Sequence, residues 1–399
     1  MHSLSVVIPA FNEEGAIAAI LERVLAVRGE LSSGGVEPVD VIVVDDGSSD
    51  RTAEHVAQVD GVCVVRHDCN RGYGAALKTG LSQAPGELLA FLDADGTYPP
   101  EQLPQLCRAV LDGADMAIGS RMGGMDSRMP LSRFIGNRLF AVLVSLLSNQ
   151  RVRDCASGMR VFRRSLLPRL YPLPDGLDFT PIMSVRALHE GLRVAEIPIP
   201  YGERVGRSKL SILRDGLRFA ESIVWNVLSY NPARVLGLLG LGGVAFASIV
   251  GAGLVVQRLA GVTTLGTLGV AAIFVALVSG VAGVSLFNLA VTFNYLVALF
   301  QRRPVRTGIF GKPLFDPPLD RHFAWMGLLL GSVGVTIAVV AVVLGSGGWP
   351  IERLWLYLVG SALFILVGLQ LVISWMVMRV LEELAERERL VASEIDSSA

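Results

Sequence analysis

In the stretch Val39-Asp40-Val41-Ile42-Val43-Val44-Asp45-Asp46-Gly47-Ser48, a mainly apolar run ends abruptly on two acids and a glycine. A short apolar run of this kind is typical of a strand that is buried on both faces of a parallel sheet. Similar runs alternate with helical stretches, which predicts a doubly wound α/β sheet. The predicted strands are Leu4–Pro9, Val39–Val44, Val62–Val65, Leu88–Leu92 and Met116–Gly119. The predicted helices are Glu13–Val27, Thr52–Val59, Tyr73–Gln83 and Pro100–Leu111.

Acidic side chains follow two of these strands, at the edge where such sheets bind ligands. Asp46 follows the second strand and can accept hydrogen bonds from a ribose or a base. The other role for Asp46, capping the helix at Thr52, is already filled by Asp50. Asp93 and Asp95 follow the fourth strand and can converge there on a hard divalent cation. An isolated Asp-x-Asp pair is more often a loop cap, so both interpretations of this pair stay open.

Two common nucleotide-binding classes lack support in this sequence. No GxGxxG motif follows the first strand, and no GxxxxGK[ST] motif occurs in the chain. These glycine patterns cradle the phosphates of dinucleotides and of P-loop nucleotides. Their absence argues against a dinucleotide-dependent enzyme and against a P-loop enzyme.

The second half of the chain is far more apolar than a soluble domain. Overall, 52% of the residues are hydrophobic and 18% are charged, against about 25% charged in typical soluble domains. Uncharged stretches long enough to cross about 30 Å of hydrocarbon predict four transmembrane helices. These are Val235–Val256, a second span that ends near Phe300, Ala324–Leu344 and Leu354–Met378.

Basic residues indicate how these spans are oriented. The connection between the second and third spans carries five of them: Arg302, Arg303, Arg306, Lys312 and Arg321. The positive-inside rule places this loop and both termini in the cytoplasm. The N-terminus has no basic region or apolar run of signal-peptide length, so we expect the first domain to stay cytoplasmic. The predicted location is the cell (plasma) membrane.

A basic block precedes the membrane region. Residues 121–218 hold 17 basic and 8 acidic side chains, whereas residues 1–120 hold 7 and 18. Such a block attracts an anionic membrane surface or a phosphate-bearing substrate, although a solvated basic face is the plainer alternative. Within it, Leu131–Leu147 and Ser211–Leu228 are amphipathic. Each is predicted to lie at the membrane interface or, alternatively, to pack on the soluble core.

Several motifs, taken in order, carry a resemblance to a known family. Ile8-Pro9-Ala10-Phe11-Asn12-Glu13, Val44-Asp45-Asp46-Gly47-Ser48, Asn70-Arg71-Gly72-Tyr73-Gly74 and Asp93-Ala94-Asp95-Gly96 resemble family 2 glycosyltransferases with the GT-A fold. Three later segments are similar to the polyprenyl-phosphate, or dolichyl-phosphate mannose synthase, branch. They are Gly119-Ser120-Arg121, Asp154-Cys155-Ala156-Ser157-Gly158-Met159-Arg160 and Arg204-Val205-Gly206-Arg207-Ser208-Lys209-Leu210.

The resemblance covers about the first 230 residues and implies an α/β, GT-A Rossmann-like nucleotide-sugar domain. With the segments predicted above, the fold class is this domain followed by interfacial amphipathic helices and four transmembrane α-helices. The expected divisions are a cytoplasmic catalytic domain at 1–210, a juxtamembrane amphipathic helix at 211–231, a transmembrane domain at 232–380 and a charged cytoplasmic tail at 381–399.

The resemblance also implies roles for individual residues. The catalytic residues would be Asp95, Asp154 and Arg121. The nucleotide-sugar site would comprise Pro9, Phe11, Glu13, Val44, Asp46, Asp93, Ala94, Asp95, Arg121, Arg204 and Lys209. The lipid-phosphate site would comprise Arg121, Arg133, Asn137 and Lys209. The ligands of Mg²⁺ or Mn²⁺ would be Asp93, Asp95 and Thr97.

Some of these positions depart from the family pattern. Phe11 stands where the family more often has tyrosine, and Asn137 replaces a usual serine. The segment around Arg204 is one residue shorter than in the eukaryotic enzymes. Lys209 has an alternative role as the start of an amphipathic helix at an anionic surface.

The implied activity is hexosyl transfer from a GDP- or UDP-sugar to the phosphate of undecaprenyl or dolichyl phosphate, with inversion. A phosphate monoester with a second pKa near 6 is mostly dianionic at neutral pH, so this nucleophile needs positioning more than a general base. Asp154 is therefore expected to orient an arginine or the acceptor rather than to take a proton.

Two other functions stay open. A processive polysaccharide synthase would share the donor site, but its QxxRW motif is absent from this sequence. A non-catalytic scaffold that binds nucleotide sugar or lipid is disfavoured by the intact pair of Asp93 and Asp95. The expected partners are the nucleotide sugar, the lipid phosphate and the bilayer, with no nucleic acid. A homo-oligomer could form through glycine-rich spans such as Gly237–Gly243.

Overall fold

The computed structural model describes residues 1–123, 129–148, 151–203, 216–217, 220–225, 228, 232–262, 266–300 and 319–397. The chain divides into two compact units, Met1–Val227 and Leu228–Ala399. This division lies inside the segment 211–231 that the sequence assigns to a juxtamembrane helix.

The first unit is built on a seven-stranded sheet with the strand order β3-β2-β1-β4-β6-β5-β7. Strands β1, β2, β3 and β4 are parallel to one another, whereas β6 is antiparallel to both β4 and β5. The strands are β1 (His2–Ala10), β2 (Val36–Asp45), β3 (Val62–Arg66), β4 (Leu88–Phe91), β5 (Met116–Ser120), β6 (Arg160–Arg163) and β7 (Val194–Pro198). This mostly parallel, Rossmann-like sheet confirms the predicted fold class.

Helices cover both faces of the sheet, as a parallel sheet requires. Val6 and Ile8 of β1 are fully buried in a core cluster that includes Ile20 from the first helix. On the opposite face, a Cβ atom added to Gly80 would lie 2.3 Å from Val7. The helices are α1 (Ile17–Ala26), α2 (Arg28–Ser33), α3 (Thr52–Ala57), α4 (Tyr73–Gln83), α5 (Leu103–Leu111), α6 (Leu131–Ser148), α7 (Leu167–Leu170) and α8 (Phe179–His189).

The sequence prediction was correct for all five early strands but did not include β6 and β7. Arg160 and Arg163 begin and end β6, and Glu196 interrupts β7, so neither strand has a continuous apolar run. The first helix starts at Ile17 instead of Glu13. Residues 11–16, between β1 and this helix, form a loop that belongs to the candidate site.

Helix α6 leaves part of its apolar surface uncovered within the first unit. Leu131, Ile135, Leu139 and Val142 are 73%, 51%, 65% and 55% exposed, and their spacing places them on one side of the helix. On the other side, Val144 is fully buried. This arrangement fits an interfacial helix, which stays a prediction for α6. Half of the second amphipathic segment, Ser211–Leu228, lies outside the described residues.

The second unit contains four long apolar helices, which makes the chain a membrane protein. They are α9 (Pro232–Leu259), α10 (Thr267–Phe300), α11 (Phe323–Ser346) and α12 (Ile351–Ser397). The segments long and apolar enough to cross a bilayer are Ala233–Leu259, Thr267–Leu296, Leu319–Ser346 and Arg353–Leu384. Helix α12 continues through most of the segment 381–399 that the sequence assigns to a separate tail.

Glycines bring the helix backbones of this unit into contact. A Cβ atom on Gly283 of α10 would lie 2.7 Å from the backbone nitrogen of Val244 and 2.8 Å from the carbonyl oxygen of Gly240 in α9. Similarly, a Cβ atom on Gly327 of α11 would lie 2.6 Å from the carbonyl oxygen of Gly368 in α12. Small residues allow such close packing between helices in membranes. Gly240, predicted as part of an oligomer contact, therefore packs within its own chain.

Replacing Gly283 with leucine should destabilise the second unit, because overpacking a close contact typically costs about 1–3 kcal/mol. Gly253→Leu is the matched control, since nothing lies within 4 Å of the position that its Cβ would take. The measurement is the thermal unfolding midpoint of each purified variant in detergent. We expect a lower midpoint for Gly283→Leu alone; equal midpoints for the two variants would contradict the packing.

Candidate active site

The loops that follow β1 and β2 are joined by hydrogen bonds. The backbone N–H of Asn12 donates to the hydroxyl of Ser48 at 2.9 Å, and the Asn12 side-chain oxygen accepts the N–H of Ser49 at 2.9 Å. The N–H of Glu13 donates to the Thr52 hydroxyl at 2.8 Å. Asn12 has a φ of 51°, a left-handed conformation that asparagine tolerates better than most residues. This turn delays the start of α1 and fixes the segment that contains Phe11 and Glu13.

Asp46 organises the loop before α4. Its carboxylate lies 2.7 Å from Nδ1 of His67 and accepts the backbone N–H groups of Arg71 at 2.9 Å and Gly72 at 2.8 Å. Asp46 is buried, with 2% of its surface exposed. Both carboxylate oxygens thus have partners within the protein. The predicted contact of Asp46 with a nucleotide would have to share these oxygens, and it stays a prediction.

The same loop packs closely against the backbone at residues 174–176. Gly72 has a φ of 106°, and a Cβ atom there would lie 2.5 Å from the carbonyl oxygen of Asp175. A Cβ atom on Gly74 would lie 2.2 Å from the carbonyl oxygen of Pro174. Only glycine fits at these two positions. Between them, Tyr73 begins α4, and its hydroxyl donates to Oδ1 of Asp93 at 2.7 Å.

The Asp93–Thr97 segment forms a capped turn at the end of β4. Oδ1 of Asp95 accepts the Thr97 N–H at 3.1 Å and the Thr97 hydroxyl at 2.5 Å. Thr97, predicted as a metal ligand, therefore directs its hydroxyl proton at Asp95. Among the described residues, no group of three or more histidine, cysteine, aspartate or glutamate side chains could hold a metal ion. The metal-ligand roles of Asp93, Asp95 and Thr97 stay predictions.

A buried ion pair lies at the end of β5. Arg121 donates from Nε to Oδ2 of Asp154 at 2.8 Å and from Nη2 to Oδ1 at 2.7 Å, and its backbone N–H donates to Oδ2 at 2.9 Å. The guanidinium carbon lies 5.9 Å from the ring centre of Tyr98 and 5.5 Å from that of Tyr201. Asp154 has no exposed surface, and Arg121 is 9% exposed. Such a bidentate, two-sided geometry fixes the orientation of the guanidinium.

The ion pair stays charged across the physiological pH range. Burial raises the pKa of Asp154, but Arg121 outweighs burial and leaves this pKa below its ordinary value. Burial lowers the pKa of Arg121, but Asp154 outweighs it and leaves that pKa well above its ordinary value. Asp154 is therefore a poor proton acceptor near neutral pH. This agrees with a positioning role, which stays a prediction.

Arg160 was not among the predicted site residues, although it ends the Asp154–Arg160 motif. It is fully buried and donates to the carbonyl oxygens of Cys155 at 2.8 Å, Thr180 at 2.9 Å and Ser157 at 3.2 Å. Burial lowers the pKa of Arg160 to about 10, so the side chain is still a cation at neutral pH. It fixes the loop that carries Asp154 by binding two carbonyl oxygens of that loop, and it joins the loop to Thr180 of α8.

Tyr98 was also not among the predicted site residues. It links the acidic turn at Asp93–Thr97 to the ion pair of Arg121 and Asp154. Its hydroxyl oxygen accepts the N–H of Gly158 at 2.7 Å, and its ring lies beneath Arg121. A Cβ atom on Gly158 would lie 2.5 Å from Oδ2 of Asp93. The acidic turn and the ion pair are thus connected through Gly158 and Tyr98. The available signal was the position of Tyr98, which directly follows the Asp93–Thr97 segment.

The remaining predicted residues divide into three groups. Pro9 and Val44 are buried near the ends of β1 and β2, and Ala94 is buried in the turn that follows β4. Phe11 and Glu13 are partly exposed in the first loop. Asn137 lies on α6, where its side-chain nitrogen is 3.6 Å from the sulfur of Met129. The structure does not show Asn137 beside the acidic turn. Arg204, Lys209 and the side chain of Arg133 lie outside the described residues.

Comparison with known proteins identifies the family. Residues 5–170 match glycosyl transferase family 2, and residues 232–392 match a domain of unknown function. A dolichyl-phosphate hexose transferase of Haloferax volcanii is 34% identical over 221 residues, which are 55% of this chain and 92% of that protein. An undecaprenyl-phosphate 4-deoxy-4-formamido-L-arabinose transferase of Pseudomonas aeruginosa is 32% identical over 314 residues. These residues are 77% of this chain and 88% of that protein. The chain therefore belongs to glycosyl transferase family 2.

A further relative is matched over a smaller share of its own length. The low-salt glycan biosynthesis hexosyltransferase Agl6 of Haloferax volcanii is 36% identical over 232 residues. The match covers 57% of this chain and 54% of that protein.

Replacing Asp154 with asparagine should strongly destabilise the first unit, because it leaves the buried Arg121 charge unpaired. Breaking a buried ion pair in this way costs about 3–5 kcal/mol. Glu101→Gln is the matched control, since Glu101 also binds an arginine through two contacts, to Arg23 at 2.8 and 2.7 Å, but with half of its side chain exposed. An exposed pair contributes about 0–1 kcal/mol. The measurement is the thermal unfolding midpoint of each variant.

The effect of Asp154→Asn should depend on pH in one direction. Because folding lowers the pKa of Asp154, the pair contributes stability above the unfolded pKa of about 3.9 and loses it as the pH falls through the lower native pKa. The difference from wild type should stay constant from about pH 5 to pH 8 and shrink only in acid. A difference that instead changes near pH 7 would contradict a permanently ionised Asp154.

Proposed function

We propose that this chain transfers a sugar from a nucleotide-sugar donor to the phosphate of a membrane polyprenyl phosphate, with inversion at the anomeric carbon. One observation carries the proposal: the pair Asp93 and Asp95 and the buried pair Arg121 and Asp154 are connected at one edge of the sheet, in a chain with four membrane-capable helices. Relatives named as dolichyl-phosphate and undecaprenyl-phosphate transferases support this acceptor class.

The donor side would use the acidic turn and the first two loops. Mg²⁺ is commonly held by one or two carboxylates together with substrate phosphates, so Asp93 and Asp95 suit Mg²⁺ or Mn²⁺ when a nucleoside diphosphate supplies the other oxygens. Such an ion, when bound, neutralises charge on the leaving diphosphate. The segment with Phe11 and Glu13 and the buried Asp46 would surround the GDP or UDP moiety.

The acceptor side would use positive charge in place of a general base. One oxygen of the lipid phosphate forms a bond to the anomeric carbon while the bond from that carbon to the nucleoside diphosphate breaks, so the configuration inverts. Asp154 keeps the Arg121 guanidinium charged and in one orientation, which compensates the phosphate's charge without moving a proton. Arg133, Asn137, Arg204 and Lys209 are proposed to complete the phosphate contacts.

The membrane unit would hold this site at the bilayer surface, where the lipid acceptor resides. The exposed apolar side of α6, with Leu131, Ile135, Leu139 and Val142, supports contact with the interface. We propose that the catalytic unit and both termini are cytoplasmic and that the protein resides in the cell membrane. The basic loop at residues 301–321 supports this orientation.

The test is to incubate membranes that contain the protein with polyprenyl phosphate, Mg²⁺ or Mn²⁺ and a panel of GDP- and UDP-sugars. We expect a lipid product whose mass has increased by one sugar. Asp95→Ala should abolish the product without changing membrane insertion, because it removes a proposed metal ligand. Asp112→Ala is the control: this acid is exposed and follows α5, at the edge of the sheet opposite the acidic turn.

Other outcomes would point to other functions. A polymer in place of a single-sugar lipid would favour a processive synthase. Retained lipid binding with no product from any donor would favour a non-catalytic scaffold. Full activity of Asp95→Ala would contradict the metal assignment.

A further inference from the structure

The carboxylate of Asp93 is fixed from two directions by distant parts of the chain. The Tyr73 hydroxyl donates to Oδ1 at 2.7 Å. On the other side, the absent Cβ of Gly158 would lie 2.5 Å from Oδ2 and 2.6 Å from Oδ1, so the carboxylate occupies space that only a glycine leaves. A hydrogen bond on one side and close packing at Gly158 on the other thus hold this carboxylate in place.

Tyr73 cannot easily move away from Asp93, because the loop that carries it is tied down. Asp46 accepts the backbone N–H groups of Arg71 and Gly72, which immediately precede Tyr73. Gly72 and Gly74, on either side of Tyr73, both pack against backbone atoms of residues 174–175. The phenol is therefore presented to Asp93 from a rigid support.

Gly158 is fixed with similar firmness on the other side. Its N–H donates to the Tyr98 hydroxyl at 2.7 Å, and the neighbouring Ser157 hydroxyl donates to the carbonyl oxygen of Gly119 at 2.5 Å. Arg160 binds the carbonyl oxygens of the same loop. The loop that presents Gly158 to Asp93 is thus the one that also carries Asp154.

We propose that Tyr73 is a positioning residue that, together with Gly158, orients the Asp93 carboxylate for a divalent cation bound with the donor's diphosphate. The inference rests on the proposed function only for the identity of that cation site. Partners that hydrogen-bond a metal-ligating carboxylate orient it, and their loss typically weakens metal binding by about 10–100-fold. Tyr73 would also make the cation site sensitive to the loop that Asp46 organises.

The test is Mn²⁺ binding in the presence of GDP or UDP. Free Mn²⁺ is measured by its electron paramagnetic resonance signal, which decreases as the protein binds the ion. Tyr73→Phe keeps the ring and removes only the hydroxyl, so we expect about 10-fold or greater weakening of Mn²⁺ binding. The thermal unfolding midpoint of the metal-free protein should stay close to wild type. Tyr171→Phe is the matched control, because it removes a phenol hydroxyl elsewhere in the first unit and should leave Mn²⁺ binding unchanged.

A double-mutant comparison separates positioning from general packing. In an Asp93→Asn background, Tyr73→Phe should cause no further weakening, because its effect passes through the Asp93 carboxylate. Gly158→Ala provides a second route, since its methyl group would displace the same carboxylate and should also weaken Mn²⁺ binding. None of the variants at Tyr73, Asp93 or Gly158 is expected to bind Mn²⁺ as tightly as the wild-type protein.

Three results would overturn the proposal: unchanged Mn²⁺ affinity in Tyr73→Phe, an equal loss in the Asp93→Asn background, or no Mn²⁺ binding by the wild-type protein with either nucleotide. Because binding is measured without a sugar donor or lipid, these results are independent of transfer activity. Wild-type protein that binds Mn²⁺ with the expected Tyr73 dependence but transfers no sugar would refute the proposed function and leave the positioning role intact.

Discussion

The buried ion pair between Arg121 and Asp154 is the interaction on which the rest of the candidate site depends. Removing two charges from water is costly, and their attraction compensates only when the geometry is good and the other donors are satisfied. Here the pair is bidentate, gains a backbone N–H, and lies against the rings of Tyr98 and Tyr201. This arrangement joins the end of β5 to the loop that carries Gly158. It therefore fixes the position of Gly158, where the Asp93 carboxylate packs.

This constraint explains why the site has the chemistry that we propose for it. Asp154 is a poor general base near neutral pH, because its pKa is lowered and both of its oxygens accept hydrogen bonds from Arg121. A phosphate acceptor does not require a general base. What such a reaction requires is an oriented positive charge beside the acceptor and oriented carboxylates beside the donor. In the proposed function, the membrane helices would keep the site where a lipid acceptor is concentrated.

Much of this organisation was predictable from the sequence, and the rest was not for definable reasons. Strands β1–β5 and the acids that follow them were predictable because continuous apolar runs mark buried parallel strands. The partners of those acids were not, since the bond from Tyr73 to Asp93 spans 20 residues and that from Gly158 to Tyr98 spans 60. Such contacts depend on the order of strands in the sheet. Equally, the late start of α1 follows from a left-handed Asn12, which no periodicity indicates.

The most direct test of the account asks which atom receives the sugar. The purified protein, in nanodiscs that contain polyprenyl phosphate, would be mixed with Mg²⁺ and the active nucleotide sugar and followed by phosphorus nuclear magnetic resonance. We predict that the lipid's phosphate monoester signal converts to a phosphodiester signal and that one nucleoside diphosphate is released for each phosphodiester formed. Release of nucleoside diphosphate while the lipid stays a monoester would contradict it, because the sugar would then have gone to water or to a hydroxyl group.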